Sequence, residues 1–183
     1  MKPWQINHSV NVILNGGVLA YPTEAVYGLG CSPYCLAAVY KILRLKRRNA
    51  SKGLILVGND IKQFEDMIDF DKVKNISEIL DTWPGHITWI LPTKPRVPNW
   101  LTGNNNGLAV RISAHAIINQ LCKKIGIMVS TSANPAGFKT VKNSSQVRAY
   151  FGNDVDYIYP GCAGPATNPS EIRDAITGNV LRR

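Results

Sequence analysis

Five cations, Arg44, Lys46, Arg47, Arg48 and Lys52, crowd into the segment ILRLKRRNASKGLILVGN (residues 42–59), with no carboxylate among them. Charge at this density serves one of two chemistries. It forms a solvated face for a nucleic-acid backbone, or it closes as a clamp on a small, highly charged anion. Two other stretches bear on that choice. The apolar run VLAY leads directly into Pro22-Thr23-Glu24, and GIMV leads into Ser130-Thr131-Ser132-Ala133-Asn134. Hydroxyls and amides at strand ends are either turn-forming groups or ligands for a polar small molecule. In LAVRIS the polar group lies inside the run instead: Arg111 shares a strand face with Ala109 and Ser113. A guanidinium there needs a carboxylate or a bound anion as its partner.

Helical phase divides the cationic segment. Over residues 33–46, Leu36, Val39, Tyr40 and Leu43 repeat at i, i+3, i+4, i+7 as an apolar stripe. Lys41 and Arg44 fall off that stripe and read as solvated. Lys46, three residues beyond Leu43, continues it, so its stem can pack on the core while its ammonium reaches towards the sheet edge. Arg48 and Lys52 follow in a loop before the next strand. At least three of the five cations can therefore converge, which favours a clamp over a stripe.

No G-x-x-x-x-G-K-[ST] loop and no G-x-G-x-x-G turn after a strand is present. His86 and His115 are isolated in the sequence, and no Ser-His-Asp or Cys-His arrangement stands out. The residues alone thus point to a basic pocket with hydroxyl and amide ligands.

The elements that must position these groups alternate. Runs at 17–21, 53–57, 86–91, 108–112, 126–130 and 156–160 read as strands, and residues 6–15, 33–46, 72–82, 114–125 and 144–151 read as helices. Ser32-Pro33 reads as a hydroxyl N-cap followed by proline at the first helical position. Such alternation predicts an α/β domain with a largely buried sheet. TGNNNG (102–107) and PGCAGPATNP (160–169) read as surface loops, so residues 1–183 form a single domain.

The chain of 183 residues is long enough to bury a sound core, and its net charge of +9 favours anionic partners without choosing among them. The N-terminal segment lacks the pattern of a secretory signal, and no apolar run is long enough to span a bilayer. Four scattered cysteines and three histidines argue against a disulfide framework and a structural zinc site. These features read as a cytoplasmic, reduced protein with no membrane association.

The same segments resemble the YrdC/TsaC family of threonylcarbamoyl-AMP synthases, which begin t6A formation in tRNA. The likeness runs through AYPTEAVYGLGC (20–31), Lys46-Arg47-Arg48 with Lys52 and GLIL, WPGHIT (83–88), LAVRIS with His115, STSAN (130–134) and NPSEIRDAITG (168–178). It implies a twisted, mixed parallel and antiparallel α/β sheet with flanking helices and a basic concave pocket. It also implies a nucleotidyl transfer that joins L-threonine, bicarbonate and ATP and releases pyrophosphate.

By this resemblance Lys46 and Arg48 would be the catalytic cations. Lys46, Arg48, Lys52, Ser132, Asn134 and Thr140 would bind ATP and bicarbonate. Thr23, Arg111, Ser130 and Ser170 would bind threonine, with Ser170 closing the pocket from the C-terminal segment. Mg²⁺ would arrive with ATP, held by phosphate oxygens and water rather than by a protein metal site. Separate threonylcarbamoyl-transferase proteins would receive the product, and the remaining positive charge would suffice for weak tRNA binding. The sequence departs from the commonest pattern at His86, where proline is frequent, and at Arg173, where an apolar residue is usual.

A non-catalytic RNA-binding module using the same basic concavity is the alternative reading. It is disfavoured because the sequence shows no aromatic platform of the RNP type and no K-homology G-x-x-G loop. A related carbamoyl-adenylate chemistry with another amine, as in hydrogenase-maturation relatives, is disfavoured by the shortness of the chain.

Overall fold

The computed structural model describes residues 2–166 and 168–182. The helices are α1 (Pro3–Leu14), α2 (Leu36–Lys46), α3 (Ile76–Asp81), α4 (Asn99–Thr102), α5 (Ala116–Ile125) and α6 (Ser144–Phe151). The strands are β1 (Leu19–Pro22), β2 (Tyr27–Cys31), β3 (Ile55–Gly58), β4 (Ile87–Leu91), β5 (Leu108–Ile112), β6 (Met128–Ser132), β7 (Tyr157–Ile158), β8 (Glu171–Asp174) and β9 (Val180–Arg182). They form one sheet in the order β7-β1-β2-β6-β3-β5-β4-β8-β9. β1·β7, β3·β5 and β4·β8 run parallel; the other neighbours are antiparallel. The expected mixed α/β sheet is present.

Period-2 alternation along the central strands feeds two separate cores. Leu29, Leu56, Val110 and Val129 face one way and pack with Val39, Ile42 and Leu43 of α2. Tyr21, Val57 and Met128 face the other way, against Ile6, Val10 and Ile13 of α1 and Ile118 and Leu121 of α5. The α1 residues repeat at helical spacing, which is why that helix lies flat on the sheet. Helices α1 and α5 cover only part of this second face. The uncovered remainder, floored by Gly28, Ile55, Ala109, Ile90 and Ile172, is where a cavity forms.

Several expectations need correction. The helix expected over 33–46 begins at Leu36 behind Cys35, and Ser32 Oγ instead accepts from Tyr34 N–H in a local turn. Its buried face is Ala38, Val39, Ile42, Leu43 and Lys46, while Leu36 and Tyr40 are exposed. The helix is rotated so that one edge of the apolar stripe faces outwards, and only Val39 and Leu43 of the expected four are inside. Lys41, expected to be solvated, pairs with Asp156 at 2.7 Å. The helix expected over 72–82 shrinks to Ile76–Asp81, preceded by a 3₁₀ turn at Phe70–Lys72. The run expected at 126–130 pairs as Met128–Ser132, so the serines belong to the strand rather than to a loop beyond it.

Candidate functional site

The end of α2 sets the charge distribution. Arg47 adopts a left-handed conformation (φ 49°), and Arg48 N–H bonds back to the Leu43 carbonyl at 2.9 Å. This sharp reversal sends three consecutive cations in three directions. Arg47 goes to solvent, Lys46 is buried beneath β6, and Arg48 points into the cavity.

Lys46 Nζ donates to the backbone carbonyls of Ser132 and Asn134, the latter at 2.8 Å, and its own carbonyl accepts from Ala136 N–H at 2.7 Å. A single lysine thereby clasps the turn that follows β6 from both ends. Burial, with the nearby charge of Arg48, pushes its ammonium down to about 8. Asn134 is directed into the same turn, with Nδ2 donating to the Phe138 carbonyl at 2.7 Å.

Around the uncovered sheet face lies a cavity of about 340 Å³, within the usual range of small-molecule sites. Of the ten residues singled out by the resemblance, eight line it: Thr23, Arg48, Lys52, Arg111, Ser130, Ser132, Thr140 and Ser170. Lys46 and Asn134 do not; they stand behind its wall and support the Ser132 turn.

Arg48 Nη2 donates to the Gly53 carbonyl at 3.0 Å, and its Nε is buried without a partner among the described residues. That carbonyl is held by two glycines packed back to back. Gly53 and Gly103 both have φ of +62°, and a Cβ on Gly103 would meet the Gly53 nitrogen at 2.4 Å. Only glycine fits this contact.

Arg111 is the most heavily constrained group. Its Nε donates to the Gly85 carbonyl at 2.8 Å, and its Nη2 reaches Glu24 Oε1 at 2.5 Å and His86 Nδ1 at 3.0 Å. Ser113 Oγ donates to the same Glu24 oxygen at 2.7 Å. The strand-face reading of Arg111 and Ser113 holds, and the partner it required is Glu24. Burial raises the Glu24 carboxyl, but Arg111 and the Ser113 hydroxyl outweigh it and hold the group below its ordinary value. Arg111 Nη1 makes no hydrogen bond among the described residues.

Three further hydroxyls of the cavity lining are fixed by the fold. Ser130 Oγ accepts from Tyr21 O–H at 2.6 Å, and Thr23 Oγ1 donates to the Val26 carbonyl at 2.7 Å. Ser170 lies 2.9 Å from Thr88 Oγ1, and its carbonyl accepts from Arg182 Nη2 at 2.7 Å.

Two lining residues, His86 and Arg182, and the ion-pair role of Glu24 were not assigned to the site from the sequence. His86 looked isolated because both its partners are far along the chain, at Arg111 and Asn168. Arg182 sits in the short terminal strand β9, whose burial pattern carries no alternation. Burial lowers the Arg182 guanidinium, and the like charges of Arg48 and Arg111 add to the effect. Among the described lining residues, four cations, Arg48, Lys52, Arg111 and Arg182, thus face one carboxylate, Glu24. Such a field attracts a polyanion.

A sequence-family profile described as "Telomere recombination" (Sua5_yciO_yrdC) matches residues 11–183. A protein of Nitrosococcus oceani named "Threonylcarbamoyl-AMP synthase" is 46% identical over 180 residues, covering 98% of this chain and 97% of the relative. One of the same name from Cellvibrio japonicus is 44% identical over 179 residues, covering 97% and 95%. Among solved structures, P. abyssi Sua5 complexed with L-threonine superposes with a TM-score of 0.87 at 29% identity. That match covers 95% of this chain but 52% of the Sua5 chain, so this protein spans about half of that longer relative.

Proposed function

The chain belongs to the Sua5–YciO–YrdC family, and from that premise we propose that it is a threonylcarbamoyl-AMP synthase. It condenses L-threonine, bicarbonate and ATP into threonylcarbamoyl-adenylate, the first step of t6A formation in tRNA. The observation that carries this reading is the cavity itself, in which a cationic end (Arg48, Lys52, Arg182) adjoins a neutralised Arg111–Glu24 end. The first suits a triphosphate with bicarbonate; the second suits a zwitterionic amino acid.

In the reaction the threonine nitrogen attacks the bicarbonate carbon and water leaves. An oxygen of the resulting carbamate then attacks the α-phosphorus, and pyrophosphate departs. No step needs a covalent enzyme intermediate, so positioning and fixed charge supply the catalysis. Arg48 and Lys52 hold phosphates and bicarbonate, with Ser132 and Thr140 beside the nucleotide. Arg111 takes the threonine carboxylate through its open Nη1 edge, and Thr23, Ser130 and Ser170 line that subsite. Lys46 and Asn134 serve the nucleotide indirectly, by fixing the turn that presents Ser132. Mg²⁺ comes with ATP. Phosphate oxygens and water would hold the ion; Glu24, the acidic lining residue, has Oε1 engaged by Arg111 and Ser113, while its Oε2 is buried without a partner among the described residues.

Partners follow from the product. Separate transferase proteins accept the labile adenylate, and the unpaired surface cations hold tRNA weakly. The test is pyrophosphate release with and without L-threonine, run beside RNA binding. Threonine-dependent release supports the synthase. RNA binding that is indifferent to ATP and threonine, with neither consumed, would return the protein to the RNA-module reading.

A further inference from the structure

His86 touches two distant parts of the chain at once. Its Nδ1 lies 3.0 Å from Arg111 Nη2, and its Nε2 lies 2.9 Å from the carbonyl oxygen of Asn168. A guanidinium only donates and a carbonyl only accepts. Nδ1 must therefore be the acceptor, and the ring's single proton must sit on Nε2 and be given to Asn168. The opposite tautomer would set donor against donor at one end and lone pair against lone pair at the other. An imidazolium would add a like charge beside Arg111. One protonation state satisfies both contacts, the neutral Nε2–H form.

The two contacts belong to different parts of the cavity lining, β5 and the segment that leads into β8. The carbonyl of the preceding residue, Gly85, already holds Arg111 Nε at 2.8 Å, so residues 85 and 86 grip two of the guanidinium's nitrogens. Asn168 lies two residues before Ser170, which lines the cavity and is tied to Arg182. His86 is thus a bridge between the arginine on β5 and the C-terminal segment over the pocket. We propose that His86 is a positioning residue for the amino-acid subsite: locked as the Nε2–H tautomer, it fixes the pose of Arg111 and couples it to the 168–170 segment. The proposal rests on the reading of Arg111 as the carboxylate ligand.

Nitrogen NMR of the imidazoles tests the lock directly, with His86→Ala identifying the signals among the three histidines. Wild-type His86 should show an unprotonated Nδ1 and a protonated Nε2, and Arg111→Met, which leaves the Asn168 contact in place, should raise the Nδ1-protonated fraction. Calorimetry tests the consequence. His86→Ala should weaken L-threonine binding about tenfold, the scale of one hydrogen bond to a charged group, while ATP binding and the melting temperature stay near wild type. A protonated Nδ1 in the wild type, or unchanged threonine affinity in His86→Ala, would overturn the proposal. Wild-type protein that binds no threonine would instead overturn the synthase reading beneath it.

Discussion

Arg111 and Glu24, 87 residues apart in sequence, meet at 2.5 Å through Nη2 and Oε1, inside the wall of the cavity. The side chains are only 9% and 18% exposed, so neither charge can be left alone without a large desolvation penalty. The pair leaves the subsite nearly neutral while keeping one guanidinium edge open.

Removing the carboxylate should therefore damage stability as well as function. Glu24→Ala strands a buried guanidinium and should cost about 3 kcal/mol in urea denaturation, whereas Glu24→Gln, which can still accept, should cost less. The pH dependence follows from the lowered Glu24 carboxyl. The stabilisation is complete above its ordinary value of 4.5 and is lost as pH falls through the lower folded value. An acid titration of Glu24→Gln should show a shallower loss of stability than the wild type.

Lys46 behaves in the opposite sense. Burial lowers its ammonium from 10.5 to about 8, so the unfolded chain holds that proton more tightly than the fold does. Stability should rise as pH goes from about 8 towards 10.5, by roughly 3 kcal/mol in all, and Lys46→Met should abolish this rise. An ATP polyanion nearby favours the charged form. Calorimetry near pH 8 in buffers of different ionisation enthalpy should therefore show proton uptake on ATP binding, absent in Lys46→Met. Equal proton uptake in both proteins would remove Lys46 from the nucleotide side.

The two ends of the cavity should separate kinetically. Arg48→Ala should raise the ATP KM at least tenfold with little change in the threonine KM, because it removes a charge-assisted contact on one substrate only. Arg111→Lys should do the reverse, since a lysine keeps charge but loses the planar edge. Steady-state kinetics with each substrate varied in turn decides it.

How much of this the sequence foretold depended on whether the signal was local. That the Lys46 stem packs on the core was readable because it sits three residues beyond Leu43 on a helix, but its ammonium, expected in the anion clamp, goes instead to the Ser132 and Asn134 carbonyls behind the cavity wall. The strand β2 was not readable. Its Gly28 and Gly30 are poor strand formers, yet they are required because a Cβ on Gly30 would lie 2.3 Å from Met128 Cε and 2.9 Å from Tyr21 Cε1. Those neighbours come from other strands and leave no local trace. The hairpin β8–β9 likewise has half-buried and exposed residues without alternation, so nothing local marked Arg182 as a cavity residue. Arg111 announced that it needed a partner, but only the fold could choose Glu24 over a bound anion.

The cation cluster divides by position in the fold. Arg48 and Lys52 face the cavity, Lys46 supports its wall, and Arg44 and Arg47 are left to solvent.

The central claim is best tested by the mass of the product formed from ATP, L-threonine and ¹³C-bicarbonate. The account predicts a threonylcarbamoyl-adenylate that carries the heavy carbon, appears with stoichiometric pyrophosphate, and in Arg48→Ala falls sharply at ATP concentrations below the raised KM. Pyrophosphate release without that adduct, or an adduct that excludes the labelled carbon, would contradict it.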